Sequence, residues 1–143
     1  ARVLESTGRA VTALSRKGLM AMVEPFLSVR VAPDQVRNQL DADSVIKSIQ
    51  IAAGLGATSA YTWLKLPVVA QMHRVLDSTT LPSLLLGGDP SGDPDETYRQ
   101  WGEALTHPTA MGLVIGRALL YPSGGDVAQA VDAAVGLVHR GVA

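Results

Sequence analysis

The stretch Thr58-Ser-Ala-Tyr-Thr-Trp-Leu-Lys-Leu-Pro67 combines an apolar run with a single charged side chain. A short apolar run that stops at a proline is typical of a buried strand. Lys65 stands two residues before that proline, so the pattern places an ammonium group near the carboxyl end of the strand. Burying a charge is costly, so a buried charged residue usually has an ion-pair partner or a function. Lys65 is therefore the first candidate functional residue.

Three other apolar runs have the same form, because a glycine or a charged residue stands at the end of each. They are residues 19–26, which contain Glu24-Pro25, residues 81–86, followed by Gly87-Gly88-Asp89-Pro90, and residues 110–115, followed by Gly116-Arg117. The carboxyl ends of parallel strands meet at one edge of a sheet, where α/β proteins hold their active sites. The pattern predicts a site built from several strand ends.

Helical patterns separate these strands. They cover residues 3–15, 43–53, 67–76, 95–105 and 127–138, with Asp43 or Ser44 as a cap and with Gly54 and Gly56 ending the second helix. Residues 28–40 are predicted to be a loop, in which Pro33-Asp34 opens a short helix. Alternating strands and helices indicate right-handed crossovers and a parallel sheet. Because the strands are near-continuous apolar runs, we expect both faces of the sheet to be covered.

Four βα units are half of the eight that close a (β/α)8 barrel, which usually takes ~250 residues. The alternative is an open four-stranded sheet, whose outer strands would be bare and apolar. The chain starts without a methionine and inside a helical pattern. We therefore expect residues 1–143 to form a single α/β domain, the C-terminal half of a TIM barrel with strands five to eight.

Composition limits the classes of partner. Of the 143 residues, 47% are hydrophobic and 17% are charged, which is enough apolar surface for a core. A formal net charge of −1 with scattered Lys and Arg argues against nucleic acid binding. The chain has no cysteine, and no apolar stretch approaches the ~20 residues of a membrane span. We expect a cytoplasmic protein, a homo-oligomer, with neither nucleic acid nor membrane as a partner.

Lys65 and Glu24 are the candidate catalytic residues. Partial burial disfavours a charged ammonium group, and a neutral amine attacks a ketone or aldehyde to form a Schiff base. Glu24 stands at its strand end just before Pro25, where a carboxylate can shuttle a proton or pair with the lysine. The alternatives are a lysine that reaches solvent and an ion pair that is only structural. Lys17 lies beside a helix-ending glycine and Lys47 on an exposed helix face.

Gly87, Gly88, Gly116 and Arg117 form a second candidate group. Glycines let backbone N–H groups approach an anion closely, and the start of the following helix favours negative charge. Arg117 can add a bidentate contact to phosphate, and barrels often bind phosphate after strands seven and eight. The alternative is a pair of ordinary β-to-α turns.

The other polar residues are interpreted as structural. Asp89 and Asp93 belong to a helix-capping loop. Tyr61 and Trp63 share the face of Lys65 by alternation, and either wall the pocket or pack the core. The histidines are expected to lie far apart, on helices or helix ends, and are interpreted as surface or packing residues: His73, His107 and His139. No metal-ligand cluster is predicted.

These motifs, in this order and spacing, resemble strands five to eight of the class I, Schiff-base aldolases. The resemblance is strongest to the deoxyribose-phosphate, tagatose-bisphosphate and archaeal-type fructose-bisphosphate aldolases, and stronger still to an aldolase-like barrel family of actinobacteria associated with inositol catabolism. It rests on four segments: Met22-Val-Glu-Pro-Phe26, Trp63-Leu-Lys-Leu-Pro67, Leu84-Leu-Leu-Gly-Gly-Asp89 and Gly112-Leu-Val-Ile-Gly-Arg-Ala118.

The resemblance implies a role for each matching residue. Lys65 would form the imine, Glu24 would line the active site, and a substrate phosphate would be held by Gly87, Gly88, Gly116 and Arg117. The expected activity is carbon–carbon bond cleavage or formation in a phosphorylated sugar or ketose, with no metal or organic cofactor. The alternatives are a phosphate-binding isomerase or epimerase without imine chemistry, and a sugar-phosphate-binding protein without turnover.

Overall fold

A computed structural model describes residues 2–87 and 93–139 of the chain, as an α/β domain. Its elements, in chain order, are α1 (Arg2–Ser15), β1 (Ala21–Val23), β2 (Ser28–Ala32), β3 (Gln35–Asn38), α2 (Ala42–Ala53), β4 (Thr62–Pro67), α3 (Met72–Leu76), β5 (Ser83–Leu86), α4 (Pro94–Leu105), β6 (Ala110–Val114), α5 (Arg117–Leu120) and α6 (Val127–His139). Gly88 and Asp89 lie outside the described residues.

The main sheet has four strands in the order β1-β4-β5-β6, and every neighbouring pair is parallel. The predicted parallel sheet with helical crossovers is therefore confirmed. The prediction of a TIM-barrel half is wrong, because this sheet is open, with β1 and β6 as its edges, and a second, two-stranded antiparallel sheet stands beside it. The alternating strand and helix pattern predicts parallel pairing, but it does not dictate how a sheet curves or whether it closes.

The second sheet is a hairpin of β2 and β3, in the region predicted to be a loop with a short helix, so that prediction is wrong. Val29 pairs with Arg37 and Arg30 pairs with Val36, and Pro33-Asp34 makes the turn between Ala32 and Gln35. Alternating valine and arginine is typical of a strand with one polar face, and proline with aspartate is typical of a turn. The hairpin signal was therefore present in the sequence.

The two faces of the main sheet differ in burial. Leu64, Leu66 and Leu85 are fully buried on one face, where they belong to a core that includes Ile49 of α2 and Leu76 of α3. On the other face the side chains remain partly or largely exposed: Met22, Trp63, Lys65, Leu84, Leu86 and Val114. The expectation that both faces are covered is wrong for the described residues.

Local signals explain the helix ends. The carboxylate of Asp41 accepts a hydrogen bond from the backbone N–H of Ser44 at 2.9 Å and caps α2, where Asp43 or Ser44 was predicted to be the cap. This bond holds the pKa of the Asp41 carboxyl below its ordinary value. Gly56 turns the chain after α2 with a φ of 83°, and a Cβ there would lie 2.7 Å from a methyl carbon of Val11. The turn therefore needs glycine for both its conformation and its close approach to α1.

Several element boundaries differ from the predicted ones. Residue 67 is still in β4, and α3 begins only at Met72, after Gln71 with a φ of 62°. The first strand is confined to three residues. The short helix α5 was not predicted, since its four residues are too few for a periodic pattern. Among the described residues, no helix has the length and apolar character needed to cross a membrane.

Candidate active site

Lys65 and Glu24 form an ion pair at the carboxyl edge of the main sheet. Val23 pairs with Leu64 in the parallel register, so the next residue of each strand places Glu24 beside Lys65. The Nζ atom of Lys65 donates a hydrogen bond to Oε2 of Glu24 at 3.1 Å. The two residues that the sequence separates by 41 positions are thus brought together as predicted.

This pair is too exposed to be a major stabilising element. The Lys65 side chain is 25% exposed and the Glu24 side chain is 43% exposed. Ion pairs that solvent reaches contribute about 0–1 kcal/mol to the free energy of unfolding. The pair leaves an amine and a carboxylate accessible to a small molecule, which is the arrangement that proton transfer and nucleophilic attack require.

Apolar side chains surround the pair on the open face of the sheet. Lys65 is in register with Leu84 on β5, and Leu84 is in register with Gly112 on β6. Trp63 lies two residues before Lys65 on the same face, which confirms the predicted alternation. Sequence analysis missed Leu84 and Gly112 as neighbours of the site, because only the strand register shows which residues share a row.

The two glycine turns have different surroundings. A Cβ on Gly87, directly after β5, would lie 2.6 Å from a methyl carbon of Ile115, so the close packing of Ile115 requires this glycine. A Cβ on Gly116 would meet no atom within 4 Å. Gly116 precedes α5, whose first residue, Arg117, has an exposed side chain. Gly116 therefore leaves open space at the carboxyl end of β6, whereas the space beside Gly87 is occupied by the side chain of Ile115.

The open turn lies on the same edge of the sheet as Lys65 but two strands away. Neighbouring strands are ~4.8 Å apart, so the β4 and β6 backbones are separated by roughly 10 Å. The structure thus brings Lys65 and Glu24 into contact, and places Gly116 and Arg117 at the far end of the same edge. The remaining predicted phosphate ligand, Gly88, lies outside the described residues.

A second polar cluster lies at the opposite, amino-terminal edge of the sheet. The rings of His73 and His107 are in edge contact, with centroids 5.8 Å apart. His107 Nε2 is 3.0 Å from Oδ1 of Asp77, and its Nδ1 atom accepts a hydrogen bond from the backbone N–H of Thr109 at 3.3 Å. The expectation that the histidines stand apart is wrong for these two. The cluster joins the ends of α3 and α4, and no local sequence signal reports it.

A cavity of about 370 Å³ lies between α4 and α6, and the rings of Tyr98 and Trp101 line it together with Asp95 and Asp126. Two carboxylates in the wall disfavour a phosphate ligand there. Within residues 2–87 and 93–139, no group of three or more His, Cys, Asp or Glu side chains is placed to hold a metal ion.

The profile of the Cgl0159-like family matches residues 1–135. The chain belongs to that family. A crystal structure of the family member Cgl0159 from Corynebacterium glutamicum (Brevibacterium flavum), a structural genomics target, is 52% identical and superposes with a TM-score of 0.91. The match covers 98% of this chain and 46% of that one, so the chain spans less than half the length of this relative. A search of curated proteins found no match.

Proposed function

We propose that this member of the Cgl0159-like family carries the Schiff-base site of a class I aldolase, which cleaves or forms a carbon–carbon bond in a phosphorylated sugar or ketose. The observation that carries the proposal is the accessible Lys65–Glu24 pair, with 3.1 Å between Nζ and Oε2. It stands at the carboxyl edge of a parallel sheet, where α/β enzymes place their reacting groups. The resemblance of the surrounding motifs to those aldolases supports the same assignment.

In the first step, the neutral amine of Lys65 attacks the carbonyl carbon of the substrate. The carbonyl oxygen takes up two protons, one from the amine and one from an acid, and leaves as water. A protonated imine on Nζ remains. Glu24 is the nearest described acid or base to this nitrogen, so we assign it the proton transfers of this step.

In the second step, the carboxylate of Glu24 accepts the proton of the hydroxyl group two carbons from the imine carbon. The carbon–carbon bond breaks, an aldehyde leaves, and the bonding electrons move toward the imine nitrogen to form an enamine. The enamine carbon then takes up a proton, and water hydrolyses the imine to release the second carbonyl product and Lys65. The cycle needs neither a metal nor an organic cofactor.

The phosphate of the substrate binds at the Gly116 turn in this proposal. The open space at Gly116 and the charge of Arg117 support it, as does the separation of roughly 10 Å between the strands that carry Lys65 and Gly116. The long side chain of Lys65 and the phosphorylated chain of the substrate together span this gap. Gly87 and Gly88 stay predicted ligands of the same phosphate.

Borohydride trapping tests the imine directly, because hydride adds to the imine carbon and fixes the substrate on Lys65 as a secondary amine. We expect intact-mass spectrometry to show an adduct with glyceraldehyde 3-phosphate, and peptide mapping to locate it at Lys65. Lys65→Ala should lose the adduct while its circular dichroism stays unchanged. Lys47→Ala removes an exposed helical lysine and is the matched control.

Two results would overturn the imine. One is an adduct of undiminished yield in Lys65→Ala, and the other is no adduct with any carbonyl probe from the folded protein. The second result, combined with saturable binding of a sugar phosphate, would support an isomerase or epimerase without an imine, or a binding protein without turnover. Product analysis of a sugar phosphate incubated with the protein separates these two.

We further propose a homo-oligomer that works in the cytoplasm. The two edge strands of the main sheet, β1 and β6, support self-association, since an unpaired strand edge can pair with another chain. The cytoplasmic assignment follows from the proposed substrate, because a phosphate's charge keeps it from crossing membranes. Light scattering over a range of protein concentrations measures the oligomeric state, and a constant monomer mass would contradict association.

A further inference from the structure

We propose that Trp63 is the floor of the Lys65 site and selects substrates by the size of the group on one side of the reacting carbonyl. This inference rests on the proposed Schiff-base function. It assigns the ligand class more narrowly: a carbonyl compound with hydrogen or a methyl group on its short side, and the phosphate-bearing chain on its long side.

The position of Trp63 follows from the alternation in β4. The residues before, between and after Trp63 and Lys65 are buried on the core face: Thr62, Leu64 and Leu66. Trp63 and Lys65 therefore project from the open face, where same-face residues are ~6.6 Å apart along a strand. Met22 stands beside Trp63 in the register of β1. The row of side chains next to the amine, toward the amino-terminal edge of the sheet, thus contains the indole ring of Trp63 and the thioether of Met22.

We assign the long substituent to the row of residues that contains Lys65. Glu24 stands on one side of Lys65 and Leu84 on the other, and Gly112 follows Leu84. Gly112 has no side chain, and the methyl carbon Cδ2 of Leu84 would lie 3.6 Å from a Cβ built there. A long polar chain therefore runs along this row, over Leu84 and Gly112, toward Gly116. The other substituent of the carbonyl carbon faces the apolar layer of Trp63.

An apolar side chain beneath the reacting carbonyl discriminates by size and by polarity. One extra methylene group against a hydrophobic wall changes the specificity by roughly tenfold or more. A hydroxymethyl or carboxylate group on the short side would lose its hydration against the indole ring. Trp63 does not take part in bond making, so it is a specificity residue rather than a catalytic one.

The first measurement is borohydride trapping with 2-pentanone, 3-hexanone and 4-heptanone, which keep one propyl group and lengthen the other substituent by one carbon at a time. We expect the wild-type yield to fall steeply from 2-pentanone to 4-heptanone. Trp63→Ala should reduce the ratio of the yields with the smallest and the largest ketone by roughly tenfold. Trp63→Phe should give a ratio between those of the wild type and Trp63→Ala. Tyr61→Ala is the control, because Tyr61 precedes β4 and is 44% exposed, four residues from Lys65.

The second measurement does not need an imine. The chain has two tryptophans, so a nitrogen-15 spectrum shows two indole N–H signals, and Trp63→Phe identifies the one from Trp63. In Lys65→Met, which cannot form an imine, we expect butanone to shift the Trp63 signal saturably. The signal from the buried Trp101 should stay in place.

The two measurements separate the inference from the function. If the trapping yield depends on ketone size in the same way in Trp63→Ala and in the wild type, Trp63 is not the floor of the site, but the imine proposal is unaffected. No adducts, but a saturable Trp63 shift, would overturn the imine and leave Trp63 in a ligand site. Neither adducts nor a shift would overturn both.

Discussion

The two faces of the main sheet show how one strand serves two purposes. In β4, Leu64 and Leu66 are fully buried against the helices, whereas Trp63 and Lys65 on the opposite face remain accessible. Both faces are made of the same short run of sequence. The covered face holds the fold together, and the open face presents the amine, the carboxylate and the aromatic ring. Substitutions on the two faces should therefore separate stability from chemistry.

The largest expected effect compares two leucines on opposite faces. Leu64→Ala creates a cavity in the core and should lower the free energy of unfolding by about 2–5 kcal/mol. Leu84→Ala removes a partly exposed side chain and should cost about 1 kcal/mol or less. Denaturant unfolding measures both. If Leu84→Ala costs as much as Leu64→Ala, the open face is covered in solution, and the proposed division between a structural face and a functional face is wrong.

A second comparison concerns the glycines after β5 and β6. Gly87→Ala pushes a Cβ to 2.6 Å from a methyl carbon of Ile115 and should cost about 1–3 kcal/mol in stability. Gly116→Ala and the control Gly124→Ala both place a Cβ where no atom lies within 4 Å. They should change stability by about 0.5 kcal/mol or less.

The same variants test the phosphate site. Gly116→Ala should raise the concentration of glyceraldehyde 3-phosphate needed for half-maximal trapping, because its methyl group enters the space assigned to the phosphate. Gly124→Ala should leave that concentration unchanged. Equal values for both variants would remove Gly116 from the phosphate site, whatever the fate of the imine.

Sequence patterns predicted the elements better than their assembly. Each apolar run formed a parallel strand, because burial and strand length are local properties. Closure into a barrel was inferred from the number of βα units, and the open sheet shows that this number does not determine curvature. The hairpin of residues 28–38 was missed, although Val29, Val31 and Val36 alternate with polar or small residues across Pro33-Asp34. Its strands carry exposed valines and resemble a loop in overall composition.

The candidate site was predicted in part. The meeting of Lys65 and Glu24 follows from the rule that parallel strand ends share an edge. The neighbours in their row, Leu84 and Gly112, depend on a register that includes an irregularity between Ser83 and Leu84. Such an irregularity depends on how the strands pack together, so a local sequence pattern does not reveal it. The contact of His73 with His107 has the same origin, since the packing of α3 and α4 decides it.

The smallest expected effect comes from a cluster of exposed polar side chains on α4, which is separate from the Lys65–Glu24 site. Arg99 and Gln100 donate hydrogen bonds to Glu96 on α4 and lower the pKa of the Glu96 carboxyl from 4.5 to about 2. A carboxyl with a lowered folded-state pKa contributes stability that is present above about pH 4.5 and is lost as the pH falls toward 2.

Arg99→Met should move the pKa of Glu96 back toward 4.5, as measured by carbon-13 titration of its carboxyl. It should therefore reduce the loss of stability between pH 4.5 and 2, and leave trapping at Lys65 unchanged. A change in trapping would mean that α4 influences the open face, and that the two faces of the sheet are coupled rather than separate.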